Sequence, residues 1–221
     1  MKQKIYIFNA EINEKIASLI ESQLSEFGDV IYSYGVVNKN NPVDCIIVNN
    51  CSDWFDDDYR KNNRQLTDPV VLKALAGSTD FSWDKNALVN FFGSADDVFN
   101  DAETFNITTG HTVSFTDAND NLAMLTLIMK TGTREEFFST INAYKSQLNE
   151  LLKIVHVKNM ALRGVNNSIV PPVAAERAQV YADGETVSVL PLAPDDIVVS
   201  ERLFVELLER ARNGNILDKN R

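Results

Sequence analysis

The stretch GHTVSFTDANDNLAMLTLIM, Gly110 to Met129, decides the fold. Its two β-rich runs, His111 to Thr116 and Leu122 to Met129, flank a polar turn of Asp117, Ala118, Asn119, Asp120 and Asn121. Asn and Asp tolerate left-handed backbone and bond to their own chain, so such a cluster between two apolar runs folds the chain back as an antiparallel hairpin.

Upstream, VIYSYGVVNKNNPVDCIIVNN repeats the pattern: runs from Val30 to Val37 and Val43 to Val48 surround an Asn/Lys/Pro cluster, which predicts a second hairpin. Before it, Ile12, Ile16, Leu19, Ile20, Leu24 and Phe27 follow the three-and-four spacing of a helix with one buried face, and Gly28 stops it. Asp68 caps a short helix that starts at Pro69 and ends before Gly77. Another helix is predicted from Ser94, with Val98, Ala102 and Phe105 on one side.

Downstream, TREEFFSTINAYKSQLNELLKIVHVKNMAL carries Phe137, Ile141, Tyr144, Leu148, Leu151, Leu152, Val155 and Leu162 at helical spacing. At ~1.5 Å per residue such a helix runs ~45 Å and outreaches one sheet. Its apolar residues form more than one stripe, Leu148, Leu151 and Val155 but also Leu152, Val157 and Met160, which points to dimerisation through this helix beyond burial on its own sheet. The element order predicts an α/β chain with an antiparallel sheet and helices on its faces.

A chain of 221 residues, 44% hydrophobic and 24% charged, buries a full core as one large domain or as one domain with an appendage. The net charge of -10 argues against a surface that holds a polyanion by itself. No window approaches the ~20 apolar residues of a membrane-spanning helix. The N-terminus MKQKIYIFNAEINEK has no cleavage signal, so the expectation is a cytoplasmic, soluble protein. The composition shifts at Gly164, where prolines and an Asp183-Gly184 turn signal begin. The chain therefore divides into a domain over 1–164, a linker over 165–198 with room for a small hairpin, and a terminal helix over 199–221 capped by Ser200.

The chemistry is narrow. The glycines form no phosphate-cradling loop, and His111 and His156 lack Cys or His partners at ligand spacing, so neither nucleotide nor metal chemistry is expected. Cys45 and Cys51 read as buried thiols acting as small hydrophobes. The run Asp56, Asp57, Asp58 reads as a solvated helix face, since successive helical residues point ~100° apart. Asp68 is explained as an N-cap. Its neighbourhood suggests more: Phe55 and Tyr59 share a helix face, Phe81 and Trp83 follow, and together they can line one cavity with Asp68.

The segments NNCSDWFDDDYR, YRKNNRQLTDPVV, FSWD and NITTGHTVSF, in this order and spacing, resemble the autoinducer-binding domain of LuxR-type quorum-sensing receptors, closest to the EsaR/ExpR branch. The resemblance runs from about Ile12 to Leu162. It implies an α/β/α sandwich around a central antiparallel sheet, ending in a long helix, and a buried pocket for an N-acyl-homoserine lactone. It implies no catalysis, no cofactor and no metal.

By resemblance, Asp68 accepts the ligand amide N–H, Tyr59 donates to the acyl carbonyl and Trp83 packs beside the lactone ring. Gly110 matches the glycine that opens the second hairpin, and Thr126 falls near the acyl chain. Tyr34, Val71 and Phe99 complete the set of ligand-binding candidates, with Trp54 and Phe55. The family's lactone-binding tryptophan falls on Phe55, which has no donor, while Trp54 is one residue early. Cys51 and Arg64 stand where relatives carry aromatic rings.

The family's helix-turn-helix module needs on the order of 60 residues, whereas Ser200 to Arg221 follows the linker, so DNA contact requires a complete module supplied elsewhere. The function expected is reception of an acyl-homoserine lactone by a homodimer, or by a heterodimer with LuxR-type regulators. The alternative is a ligand-independent protein that pairs with intact regulators and modulates them.

Overall fold

The computed structural model of the chain describes residues 9–51, 59, 62–85 and 102–164. Its strands are β1 (Val30–Asn38), β2 (Asn41–Asn49), β3 (Asp80–Asp84), β4 (Thr109–Thr116) and β5 (Asn121–Met129). They form one antiparallel sheet in the order β2-β1-β5-β4-β3. The helices are α1 (Ala10–Glu21), α2 (Pro69–Leu75) and α3 (Arg134–Leu162).

Both predicted hairpins are present. The β4–β5 turn closes because Asp117 Oδ1 accepts from the backbone N–H groups of Asn119 and Asn121, at 2.8 and 2.9 Å, while Asp120 takes the left-handed backbone (φ 59°) that Asp tolerates. FSWD, read above only for its aromatics, is the edge strand β3, paired so that Trp83 faces Gly110.

The N-terminal helix is shorter than its apolar spacing predicts. Asn9 caps it by accepting from Ile12 N, but it ends at Glu21, where the Ser22 hydroxyl bonds back to Leu19 O at 2.8 Å. A separate 3-10 turn, Ser25–Phe27, carries Phe27 into the core, and Gly28 follows at φ 72°. α2 starts as predicted, with the Asp68 carboxylate capping Val70 N and Pro69 in the first turn. Most of the helix predicted from Ser94 lies outside the described residues; at its end Ala102 is buried and Phe105 exposed, so they do not share one side. The linker and terminal helix predicted over 165–221 also lie outside the described residues.

Strand alternation divides the core into two layers. Tyr32, Tyr34 and Val36 of β1, with Ala123, Leu125 and Leu127 of β5, face α1 and α3. Ile31 and Val37, with Leu122, Met124 and Ile128, face α2. The result is the α/β/α arrangement.

α3 begins with a capping box between Thr133 and Glu136 and bends at Tyr144, whose ring packs on Phe27 at 5.7 Å between centroids. Of its two apolar stripes, Leu148, Leu151, Leu152, Val155 and Met160 are all buried. That corrects the two-stripe reading: most of both stripes lies within the chain's own core, and Val157 is left exposed, together with Ile154. Among the described residues no helix is long and apolar enough to cross a membrane.

Candidate ligand-binding site

Behind α2 the sheet is not fully covered by side chains. Ser33, Gly35 and Val37 of β1 and Met124, Thr126 and Ile128 of β5 form one wall of a cavity of about 60 Å³. Two of these positions carry little or no side chain, which is why a floor of two adjacent strands leaves a space. The opposite wall is Tyr59, Gln65, Asp68, Val70 and Val71, and Trp83 lies at the β3 side.

Tyr59 and Asp68 meet directly. The tyrosine hydroxyl donates to Asp68 Oδ2 at 2.6 Å, while Asp68 Oδ1 accepts from Val70 N at 2.8 Å. Asp68 therefore serves both the cap of α2 and the cavity. Removal from water raises its carboxyl above the ordinary range, and the bonds from Tyr59, Val70 and Val71 offset part of that rise. Burial, with the neighbouring carboxylate, holds the Tyr59 hydroxyl protonated far above its usual range.

Trp83 is fixed from two sides. Its indole N–H donates to Thr112 Oγ1 at 3.0 Å, and Thr112 is in turn 2.9 Å from Thr126 Oγ1. Below the ring lies Gly110: a Cβ there would sit 2.5 Å from Trp83 Cζ2 and 2.7 Å from Leu127 O, so only glycine permits this approach. The glycine read as the opening of the hairpin is thus the bed of the indole.

The candidates now sort by position. Tyr59, Asp68, Trp83, Val71 and Thr126 line the cavity together. Tyr34 does not, because residues at odd and even positions of β1 point to opposite faces and Ser33 and Gly35 hold the cavity side. It is fully buried against α3, 3.1 Å from His156 Nδ1. Trp54, Phe55 and Phe99 lie outside the described residues. Cys45 borders the cavity, and Cys51 packs at the edge of the same core; neither is in a disulfide, and both are partly buried where full burial was expected. Sequence reasoning missed Ser33, Gly35 and Gln65. The alternation of small residues with Tyr32, Tyr34 and Val36 along VIYSYGVVN is the signal that locates the first two.

The far face holds a separate polar chain. His156 Nε2 lies 3.0 Å from Asp117 Oδ2, and Asn159 donates to the Tyr34 hydroxyl and accepts from Arg163. Burial alone would raise the Asp117 carboxyl, but its bonds from His156, Asn121 and Asn119 together bring it down to about 2. Among the described residues no group of His, Cys, Asp and Glu could hold a metal ion.

Known proteins share this architecture. Residues 13–158 match the family described as the autoinducer binding domain. The chain is 34% identical over 154 residues to the transcriptional activator protein ExpR of Pectobacterium parmentieri, covering 68% of this chain and 63% of that one. It is 30% identical over 166 residues to the transcriptional activator protein EsaR of Pantoea stewartii subsp. stewartii, covering 75% and 67%. The chain thus spans less than two thirds of the ExpR length. In fold it resembles the crystal structure of CepR2, an N-acylhomoserine lactone dependent LuxR family transcription factor of Burkholderia cenocepacia, with a TM-score of 0.50 at 19% identity over 69% of this chain and 99% of that one. Escherichia coli SdiA gives a TM-score of 0.51 at 15% identity, covering 76% and 68%. The chain belongs to the autoinducer-binding domain family of LuxR-type transcriptional regulators.

Proposed function

We propose that the chain is the signal-receiving part of a cytoplasmic regulator and that its cavity takes an N-acyl-homoserine lactone. The Tyr59–Asp68 pair, a 2.6 Å hydrogen bond at the edge of an apolar cavity, carries this reading. A secondary amide offers one N–H donor and one carbonyl acceptor side by side. Asp68 keeps acceptor capacity for the N–H, and the Tyr59 hydroxyl swings from the carboxylate to the carbonyl, so each polar group exchanges one partner for another. The apolar walls take the acyl chain, and Trp83 offers a flat face to the lactone ring.

The cavity as it stands is small for such a ligand, so binding moves the side chains that border it. The exposed Ile154 and Val157 on α3 give a second copy, or a related regulator, a place to pair. Coupling to transcription runs through a helix-turn-helix module.

Calorimetry with acyl-homoserine lactones of increasing chain length tests the proposal. We expect binding by the wild-type chain, a roughly three- to tenfold loss in Tyr59→Phe, and a larger loss in Asp68→Ala, as expected when a charged partner is removed. No heat and no thermal shift with any chain length would overturn the lactone reading. It would leave the ligand-independent pairing protein in its place.

A further inference from the structure

Among the described residues, two buried side-chain atoms have no hydrogen-bond partner: Gln65 Oε1 and His111 Nε2. His111 stands on the α3 face of the sheet, where its Nε2 is 3.3 Å from an Asp80 oxygen, so its surroundings already offer a carboxylate. Gln65 has no such neighbour for its oxygen. It sits in the 3-10 turn Arg64–Leu66, is only 3% exposed, and lines the cavity.

The orientation of the amide follows from its other end. Gln65 Nε2 faces two backbone carbonyls, Pro42 O and Val43 O, each at 3.5 Å. Turning the amide over would set its oxygen against both carbonyls, acceptor against acceptor, and would leave two N–H donors unsatisfied instead of one acceptor. The oxygen is therefore the group left over, and a buried acceptor left over in a native interior calls for a partner.

Three other polar side chains at the cavity are already committed: Tyr59 to Asp68, Asp68 to Val70 N, Thr126 to Thr112. Gln65 contacts the start of β2, near Val37 and Cys45, whereas Thr126 lies farther along the floor, opposite Ser33 of β1. Its oxygen thus addresses the acyl part of a ligand whose amide is held at Tyr59 and Asp68. This step rests on the lactone reading given above.

We propose that Gln65 is a specificity-determining residue that accepts a hydrogen bond from a hydroxyl on the acyl chain, so that the cavity prefers a hydroxyacyl ligand to its oxo or unsubstituted counterpart. A hydroxyl donates to the waiting oxygen. An oxo group presents a second acceptor there, and a plain methylene leaves the oxygen unpaired in a dry site, so both lose relative to the hydroxyl.

The test uses acyl-homoserine lactones of one chain length carrying a hydroxyl at the third carbon, an oxo group there, a hydroxyl at the chain end, or no substituent. Their affinities are measured with the wild-type chain and with Gln65→Met, which keeps the length of the side chain and removes the acceptor. One hydroxylated ligand is expected to bind the wild type roughly three- to tenfold tighter than the oxo and unsubstituted ones, and Gln65→Met to level the ranking. Equal affinities in the wild type, a preference for the oxo ligand, or a hydroxyl preference that persists in Gln65→Met would each overturn the role of Gln65 while leaving the lactone reading intact. A wild-type chain that binds none of the four overturns that reading, and this one with it. If Gln65→Met does not fold, Gln65→Leu replaces it and is read by the same outcomes.

Discussion

The two faces of the sheet use the same strands for opposite ends. On the α1 and α3 side, Tyr32, Tyr34, Val36, Leu125 and Leu127 meet Ile16, Ile20, Leu148 and Leu152 in a filled core, and Tyr34, His156, Asp117 and Asn159 are joined to each other. On the α2 side, alternate positions of β1 shrink to Ser33 and Gly35, a cavity opens, and one buried acceptor is left waiting. Packing is concentrated on one face, and the proposed binding site lies on the other.

The sharpest way to break the filled face is His156→Leu. It leaves the Asp117 carboxylate and the Tyr34 hydroxyl buried without their shared partner, so we expect a loss of about 3 kcal/mol or more, read as a lower urea midpoint. Gly110→Ala attacks the seam between the faces. Its new methyl meets both the Trp83 ring and the Leu127 carbonyl, and overpacking of this kind costs roughly 1–3 kcal/mol, with a shift of Trp83 fluorescence as the local sign.

On the cavity face the stability effects shrink. Asp68→Ala removes the cap of α2 and should cost about 0.5–2 kcal/mol of ligand-free stability, well below the His156 effect, while ligand affinity falls. Were the ordering reversed, the division between the faces would fail. Trp83→Phe loses one hydrogen bond to Thr112 and should cost about 0.5–1.5 kcal/mol in thermal unfolding.

Acid adds a contrast of sign. Asp117 has a folded-state pKa near 2, below its unfolded value, so it contributes stability that is whole above about pH 4 and is lost as the pH falls toward 2. Asp68 is raised, so protonation relieves it and its burial penalty grows as the pH climbs through its folded pKa. Asp117→Asn should flatten the acid limb of an unfolding-against-pH curve, whereas Asp68→Asn should leave that limb steep.

The hairpins, α2 and the long helix were legible because period-two and three-and-four spacings, an Asp-Pro cap and an Asn/Asp turn each have one physical solution. The end of α1 was not: Ile20, Leu24 and Phe27 keep helical spacing, yet a side-chain bond at Ser22 ends the helix, and the 3-10 turn delivers Phe27 to the same core. Spacing placed Tyr59, Asp68 and Trp83 at one cavity, which they do line, and the resemblance supplied the ligand roles proposed for them. Tyr34 was misplaced because an aromatic in a strand announces burial without announcing which face it takes. Gln65 was missed because nothing in a sequence shows that an amide nitrogen is satisfied and its oxygen is not.

The Asp117 carboxylate has a consequence for the order of assembly. Its Oδ1 is occupied within the turn by the backbone N–H groups of Asn119 and Asn121, and its Oδ2 accepts from the Asn121 side-chain amide and also lies 3.0 Å from His156 Nε2. The turn therefore closes on contacts two to four residues apart, without waiting for α3, while the Tyr34–His156 contact joins positions 122 residues apart. Short loops form first in a folding chain. The β4–β5 hairpin is then an early template, and docking of α3 is the late step that brings His156 to Asp117.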